Sequence, residues 1–192
     1  MSTPEFRRSV GTDAEGFIDR LPLDDDMWVR SEYAGELAVL TTWLAALIPW
    51  NVTFANLGDG ALLFVRFPLF QVRYTFGVPI AAGIALVDPV TATAFQGGQA
   101  LELPYRLWTA GAGIFAAALV VSAVYYRREA WAESWPVDPV RLLGALLLAT
   151  GVVLAAATYF LLSRGFPGIP IPIGVVFLLL FGAVLLTVDR TE

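Results

Sequence analysis

VRLLGALLLATGVVLAAATYFLLS, residues 140–163, is the stretch that decides the class of protein. Its only charged residue is Arg141, close to the start, and the residues after it are apolar or small for over twenty positions. A helix of this length, rising about 1.5 Å per residue, covers a bilayer core of roughly 30 Å. Asp138 can cap its first turn, and Pro139 suits the first helical position. The sequence therefore predicts a membrane-spanning helix and an integral membrane protein.

The composition of the whole chain agrees with one membrane domain. The 192 residues are 57% hydrophobic, which leaves too little polar material for an additional soluble domain of ordinary size. All 12 basic residues are arginine, and the 17 acidic residues give a net charge of −5. This lysine-free, acidic surface argues against nucleic-acid binding. It is typical of proteins that work in very high salt, although a high-GC coding bias also favours arginine over lysine.

Three missing residue types exclude most familiar catalytic chemistry. The chain has no histidine, no cysteine and no lysine. It therefore lacks a thiolate nucleophile, an imidazole base, ordinary zinc or haem ligands, and a lysine for Schiff-base attachment. No serine lies beside a plausible base, and no carboxylate pair lies inside an apolar segment. We expect a protein that is not an enzyme, with no catalytic residues, no cofactor and no metal site.

The apolar segments predict an all-α integral membrane protein, a bundle of about five transmembrane helices. The predicted helices are 35–54, 76–95, 106–126, 139–163 and 171–188. Two extended runs flank Pro68 between the first two helices, so a short hairpin over 57–75 is predicted at the membrane surface, because open strand edges cannot face hydrocarbon. Gln71, Arg73 and Thr75 alternate with apolar residues there, which predicts a strand with one face in water. Arg66 and Arg73 are seven residues apart, which would instead place them on one side of an amphipathic helix in the interface; we predict the hairpin.

Four spans are the alternative to five. With five spans the arginines divide six against six between the two sides, whereas without 76–95 they divide eight inside against four outside. The positive-inside rule therefore favours four. The length of 76–95 and its small residues Gly77, Ala81 and Ala85 favour a fifth span that packs closely against its neighbours. We predict five.

Residues 1–26 precede this membrane domain, which we place at 27–192. They are polar and acidic and show neither helical nor strand periodicity, which predicts a disordered tail. Met27 stands directly before the first residues with an ordered pattern. Its position is either a coincidence or a sign that translation starts there.

Asp88 is the acidic residue inside an apolar segment, whereas Glu36 lies at the entrance of the first predicted span. At the middle of a bilayer a carboxylate costs about 2.5 to 3.5 kcal/mol, which makes Asp88 a candidate ion or proton site. However, residues 87–90 (VDPV) repeat as residues 137–140, where the aspartate is predicted to cap a helix. By this analogy Asp88 caps a following turn at the membrane surface, and this is the interpretation that we favour.

The other candidate polar residues lie near the first span and the hairpin. Asn51, with Thr53 and Asn56, can line a polar pocket at the end of the first helix. Arg66 and Arg73 can pair with Glu36, Asp59 or Glu102, or bind an anionic headgroup. Capping, interhelical hydrogen bonds and ordinary interfacial arginines explain the same residues equally well or better.

Residues 27–52, MWVRSEYAGELAVLTTWLAALIPWNV, and the later stretch LLFVRFPLFQVRYTFGV, residues 62–78, carry a resemblance. They resemble the opening of a family of multi-pass membrane proteins of unknown function from halophilic archaea. The resemblance covers most of the chain after Met27. It implies a cell-membrane location and a high-salt habitat, and it transfers no catalytic residue.

These observations leave three functional hypotheses. The first is a non-enzymatic accessory or scaffold subunit, bound to the lipid bilayer and to a membrane-protein partner or to further copies of itself. The second is a transporter or channel subunit for a small solute or ion, built on the segment around Asn51 and Asp88. The third is a membrane enzyme that holds an anionic lipid with Arg66 and Arg73. We predict the first.

Overall fold

The described part of the chain comprises residues 33–58, 60–77 and 83–187 of a computed structural model. All of them belong to the unit Ser31–Glu192, one of two into which the chain divides, the other being Met1–Arg30. The predictions for the tail at 1–26 and for Met27 lie outside the described residues.

Six helices and five strands make up the described residues. The helices are α1 (Ala34–Leu47), α2 (Pro89–Phe95), α3 (Glu102–Arg127), α4 (Glu129–Ala132), α5 (Pro139–Ser163) and α6 (Ile173–Thr187). The strands are β1 (Asn51–Asn56), β2 (Ala61–Arg66), β3 (Gln71–Phe76), β4 (Gly83–Val87) and β5 (Ile169–Ile171). Four strands therefore follow α1, and the fifth lies between the last two helices.

Helix α5 is the centre of an antiparallel helical bundle, packing against α3 on one side and α6 on the other. It begins as predicted, because Asp138 Oδ1 accepts hydrogen bonds from the backbone N–H groups of Val140 and Arg141. Small residues let α5 and α6 approach closely: a Cβ atom added to Gly182 would lie 2.6 Å from the backbone nitrogen of Leu148. At the other helix pair, a Cβ at Gly111 would lie 3.0 Å from the side chain of Leu154.

The five strands form one antiparallel sheet in the order β4-β3-β2-β1-β5. The turn at Phe67 to Phe70 closes the β2–β3 hairpin, and the indole N–H of Trp108 in α3 donates to the carbonyl of Pro68 in that turn at 3.0 Å. The backbone N–H of Gly174 in α6 donates to the carbonyl of Pro49, just before β1. The sheet thus lies at the end of the bundle where α3 and α6 begin.

The sheet has an unusual polarity, because its polar face points toward the helices. Side chains alternate between the two faces of a strand. Thr53, Arg66 and Gln71 are buried on the inward face, whereas the side chains of Phe54 and Phe76 on the opposite face are exposed. The alternation predicted for β3 is present, but the assignment of its polar side to water was wrong, since that side packs inward.

The predicted all-α bundle of five spans was wrong. Predicted span 35–54 ends as a helix at Leu47 and continues as β1, and the region of span 76–95 contains the end of β3, strand β4 and the short helix α2. The predicted hairpin at 57–75 is present as β2 and β3, but it belongs to a five-stranded sheet. Runs of apolar residues in a sheet with one exposed apolar face have the same composition as a membrane helix, so hydropathy alone could not separate them.

Two helices of the described part, α3 and α5, are long and apolar enough to cross a membrane. The predictions for them, 106–126 and 139–163, agree with the observed Glu102–Arg127 and Pro139–Ser163. Helices α1 and α6 are also apolar but shorter. The prediction for α6, 171–188, differs from Ile173–Thr187 because β5 takes residue 171, and Val188 lies outside the described residues.

Candidate functional site

Arg66 is the centre of a polar cluster on the inward face of the sheet. It is the last residue of β2, and its neighbours in register are Asn51 of β1 and Gln71 of β3. All three side chains are buried, and Arg66 is only 1% exposed. One row across three strands therefore places an arginine, an asparagine and a glutamine side by side beneath the helices.

Neutral oxygen atoms accept the hydrogen bonds of the Arg66 guanidinium. Its Nη1 donates to Asn51 Oδ1 at 2.9 Å and to Thr53 Oγ1 at 3.0 Å. Its Nη2 donates to the hydroxyl of Tyr105 in α3 at 3.4 Å, a long bond. The hydroxyl of Thr53 in turn donates to Asn51 Oδ1 at 2.8 Å, so the two β1 residues act as one acceptor pair.

Aromatic rings enclose the same guanidinium. Its central carbon lies 4.6 Å from the centre of the Phe166 ring and 4.9 Å from that of Phe64. These two rings contact each other edge to face, with centres 5.2 Å apart. A cation over aromatic faces gains about 2 kcal/mol or more when it is desolvated. Phe166 follows α5 directly, so the ring contacts join the sheet to the end of that helix.

No carboxylate of the described residues pairs with Arg66, and Glu102, a predicted partner, pairs with Arg106 instead. Burial lowers the pKa of Arg66, and the neighbouring Tyr105 opposes this effect. Arginine stays protonated in proteins, so the cluster holds a buried positive charge that only dipoles and rings compensate. Arg66 Nε and Asn51 Nδ2 have no hydrogen-bond acceptor in the described part of the chain.

Arg73 shares the inward face with Arg66. It lies opposite Phe64 in the β2–β3 register, one step along the sheet from the pair Arg66 and Gln71. Its Nε has no acceptor among the described residues, and Gln71 Oε1 has no donor there. The structure thus brings together three of the predicted site residues, namely Asn51, Arg66 and Arg73.

Asp88 lies apart from this cluster, as the N-cap of α2. Its Oδ1 accepts hydrogen bonds from the backbone N–H groups of Val90 and Thr91, both at 2.9 Å. Hydrogen bonding from the side chain and then the backbone of Thr91 lowers the pKa of this exposed carboxyl group. The structure confirms that Asp88 caps a helix, and its carboxylate lies outside the helical bundle.

Glu36 lies in the first turn of α1, at the end of the bundle away from the sheet. There it lines a cavity of about 330 Å³ together with Tyr125, Tyr126 and Glu129. The predicted pairing of Arg66 or Arg73 with Glu36 or Glu102 does not occur. Glu102 pairs with Arg106 instead, and Glu36 lies at the other end of the bundle. Asp59, the third predicted acidic partner, lies outside the described residues.

The family match covers residues 27–190 and therefore includes the whole sheet, the helical bundle and the Arg66 cluster. The chain belongs to the DUF7549 family, a family of unknown function. The match begins at Met27 and leaves out 1–26, so it covers the same part of the chain as the resemblance to the halophilic membrane proteins. No match was found among curated proteins.

Sequence reasoning found only half of the cluster in this DUF7549 protein. Asn51, Thr53, Arg66 and Arg73 stood out as polar residues in apolar surroundings. Tyr105 and Phe166 did not, because an aromatic residue beside a predicted membrane segment is ordinary. A signal for the strand pairing existed in the spacing of Asn51 and Thr53, two residues apart, which places both on one face of a strand.

Proposed function

We propose that this protein is a non-enzymatic, multi-pass protein of the cell membrane that serves as an accessory or scaffold subunit. The proposal rests mainly on helices α3 and α5. At about 1.5 Å per residue, each is longer than the hydrocarbon core of a bilayer, which is roughly 30 Å thick. Only 33% of an 18-residue apolar stretch of α3, and 39% of such a stretch of α5, is buried within the chain. A core helix of a soluble protein is mostly buried, so lipid is the natural cover for the remainder.

In this proposal α1 and α6 cross the membrane beside the two long helices α3 and α5, and the sheet lies outside the hydrocarbon. The open edges of β4 and β5 support that location, because unpaired backbone groups are costly in lipid. If α1, α3, α5 and α6 all cross the membrane, eight arginines lie on the side where α1 begins and four on the side of the sheet. The positive-inside rule then favours the start of α1 inside the cell and the sheet outside. The acidic, lysine-free composition supports a high-salt habitat.

The scaffold role is favoured over transport because the two residues of the transport hypothesis are apart. Asn51 is buried against Arg66, whereas Asp88 is an exposed helix cap. Arg66 is also enclosed by protein, which removes it from the surface where a lipid enzyme would bind a headgroup. The role that remains for the protein is to pack against other membrane proteins or against further copies of itself.

Cysteine labelling tests the membrane location, because the chain contains no cysteine of its own. Gln99→Cys and Ser134→Cys place single thiols at exposed sites near opposite ends of α3. We expect the protein in the membrane fraction after an alkaline carbonate wash. A membrane-impermeant maleimide should label Gln99→Cys on intact cells and Ser134→Cys only after permeabilisation, with the cysteine-free parent unlabelled throughout. Recovery in the soluble fraction, or labelling of both sites from one side, contradicts the proposal.

A further inference from the structure

One edge of the Arg66 guanidinium is poorly satisfied by the chain. Its Nη1 donates to Asn51 and Thr53, whereas its Nη2 makes only the long bond of 3.4 Å to Tyr105. Its Nε is buried and has no acceptor among the described residues. Nε and Nη2 share one edge of the planar guanidinium, so the two poorly satisfied nitrogens are adjacent. This Nε–Nη2 edge can therefore donate to one further atom.

The hydroxyl group of Tyr105 adds another donor beside this edge. Its oxygen accepts from Nη2, and for its own proton the described part of the chain supplies no acceptor. The side chain is buried, so bulk water does not supply one either. The N–H and O–H groups that meet here are donors, and an atom that only accepts hydrogen bonds suits them. An anion is such an atom, whereas a water molecule must also place its own two protons.

Arg73 brings a second positive charge to the same face. Arg66 lies opposite Gln71, and Arg73 is two residues further along β3. Diagonal neighbours of this kind lie about 7 to 8 Å apart. The buried Nε of Arg73 also lacks an acceptor, and neither arginine pairs with a carboxylate of the described residues. Like charges repel most strongly where water is excluded, so this face requires a negative charge.

A water molecule is the alternative occupant of the site. Gln71 Oε1 has no donor among the described residues, so one water can join it to Nε of Arg66. This water would complete the hydrogen bonds but leave both arginine charges uncompensated. A buried charge without a counter-charge is the greater cost. An anion is favoured because it satisfies the donors and compensates the charge together.

The enclosure of Arg66 limits the size of the anion. The arginine is 1% exposed, and the rings of Phe64 and Phe166 lie 4.9 and 4.6 Å from its central carbon. A phosphate or carboxylate group of a larger molecule needs a wide path to the surface, which such a buried side chain does not offer. Chloride is a single atom and needs little more room than a water molecule, whose share of the liquid is about 30 Å³.

We propose that the inward face of the sheet binds one chloride ion at the Nε–Nη2 edge of Arg66. Tyr105 donates its hydroxyl proton to the ion, and Arg73 supplies the second positive charge. The ion takes the place of a carboxylate that none of the described residues supplies. This binding site goes beyond the proposed function, and it is expected whether or not the helices cross a membrane.

Thermal unfolding at constant ionic strength tests for the ion. The purified full chain is unfolded in sodium chloride that is replaced stepwise by sodium gluconate, whose anion is too large for the site. A ligand that binds only the folded chain stabilises it with the logarithm of its concentration. Each tenfold rise in chloride above the dissociation constant should therefore raise the melting temperature by about 3 to 5 °C. A melting temperature that does not depend on chloride overturns the proposal.

Two variants show whether chloride acts at Arg66. Tyr105→Phe removes the hydroxyl donor and should require about tenfold more chloride for the same stabilisation. Asn51→Asp supplies a carboxylate beside the guanidinium, which repels the ion, and its melting temperature should not depend on chloride. The controls are Tyr159→Phe on the exposed side of α5 and Asn56→Asp on the outward face of the sheet, opposite the inward face. Both controls should respond as the parent does. A parental chloride response in Tyr105→Phe and Asn51→Asp overturns the proposal, because the ions then bind elsewhere.

Bromide locates the ion without any substitution. It resembles chloride and scatters X-rays anomalously, so crystals of the full chain grown in sodium bromide should show an anomalous peak within hydrogen-bond distance of Arg66 Nε. The absence of this peak overturns the proposal. A peak there without a chloride response in solution also overturns it, because it shows binding at crystal concentration only.

Discussion

Asn51 Oδ1 lies 2.9 Å from Nη1 of Arg66, in the position where a carboxylate would ordinarily neutralise a buried arginine. The two residues face each other directly in the β1–β2 register. The amide oxygen there accepts the hydrogen bond but does not neutralise the positive charge of Arg66, and the nitrogen of the same amide group, Nδ2, has no acceptor among the described residues. The contact therefore leaves the charge of Arg66 without a counter-charge.

Asn51→Asp should stabilise the fold. The new carboxylate would accept the same hydrogen bond, neutralise Arg66 and remove an unpartnered donor. After its desolvation cost we expect a gain of about 1 kcal/mol in the free energy of unfolding at pH 7. A carboxyl group held by arginine binds its proton more weakly when folded than when unfolded. The gain is therefore present above the unfolded pKa of about 3.9 and is lost as the pH falls below it.

Thermal unfolding in detergent at several pH values measures this gain. Asn56→Asp is the matched control, because Asn56 lies in the same strand on the outward face and is exposed. It should change the stability by less than about 0.5 kcal/mol. An equal gain in both variants would assign the effect to net charge rather than to the contact with Arg66.

Arg66→Lys should destabilise the protein although it keeps the charge. Lysine presents a compact ammonium group, so it cannot reach Asn51, Thr53 and Tyr105 together while stacking on two rings. We expect a loss of about 2 to 4 kcal/mol, as for other disrupted buried charges. The exposed Arg106→Lys is the control and should remain close to the parent. Equal melting temperatures for the two variants would show that charge alone matters at Arg66.

Gly182→Ala should weaken the packing of α6 on α5. Its Cβ would lie 2.6 Å from the nitrogen of Leu148 and 2.9 Å from the oxygen of Gly144, both backbone atoms that cannot rotate away. We expect a loss of about 1 to 3 kcal/mol, measured by thermal unfolding. Gly113→Ala in α3 is the control, because nothing lies within 4 Å of its Cβ position. It should be neutral or stabilising by up to about 1 kcal/mol, and a comparable loss there would contradict the packing explanation.

Asp88→Asn should preserve both the fold and any flux through the membrane, since asparagine caps a helix as well as aspartate does. Asp88→Ala should lower the melting temperature slightly, because it leaves two backbone N–H groups of α2 without their acceptor. The pKa of Asp88 is lowered in the folded state, so its carboxylate stabilises the fold above the unfolded pKa, and this contribution disappears as the pH falls through the folded value. Loss of ion flux in Asp88→Asn would favour the transport hypothesis instead.

The sequence predicted the elements whose signals are local. Helix α5 begins at its aspartate and proline and ends before Arg164 and Gly165, so its bounds could be read directly. Span 76–95 could not be judged in this way. Its apolar residues 84 and 86 belong to the outward face of a sheet, and that sheet also contains β5, which lies more than eighty residues further along the chain. Strand β4 itself pairs with β3, and an apolar strand of five residues has the composition of part of a membrane helix, so hydropathy alone could not separate the two.

Only part of the candidate site, likewise, could be predicted from the sequence. The capping role of Asp88 followed from the repeated VDPV motif. The row of Asn51, Arg66 and Gln71 arises only once three strands are in register, and its cover by Tyr105 and Phe166 requires the ends of two helices to meet the sheet. The sequence made Arg66 a candidate and favoured an ordinary interfacial arginine, and only the tertiary structure shows that it is buried and that a neutral amide faces it.

Strand β5 has a consequence for the order of events during synthesis. It contributes three residues, 169–171, yet it pairs with β1, whose partner residues 52–54 leave the ribosome long before. Until β5 arrives, β1 presents a free row of backbone donors and acceptors to any extended chain nearby. Completion of the sheet is therefore a late step of synthesis, which comes after α5 has been made and leaves an interval in which that open edge of β1 can pair wrongly.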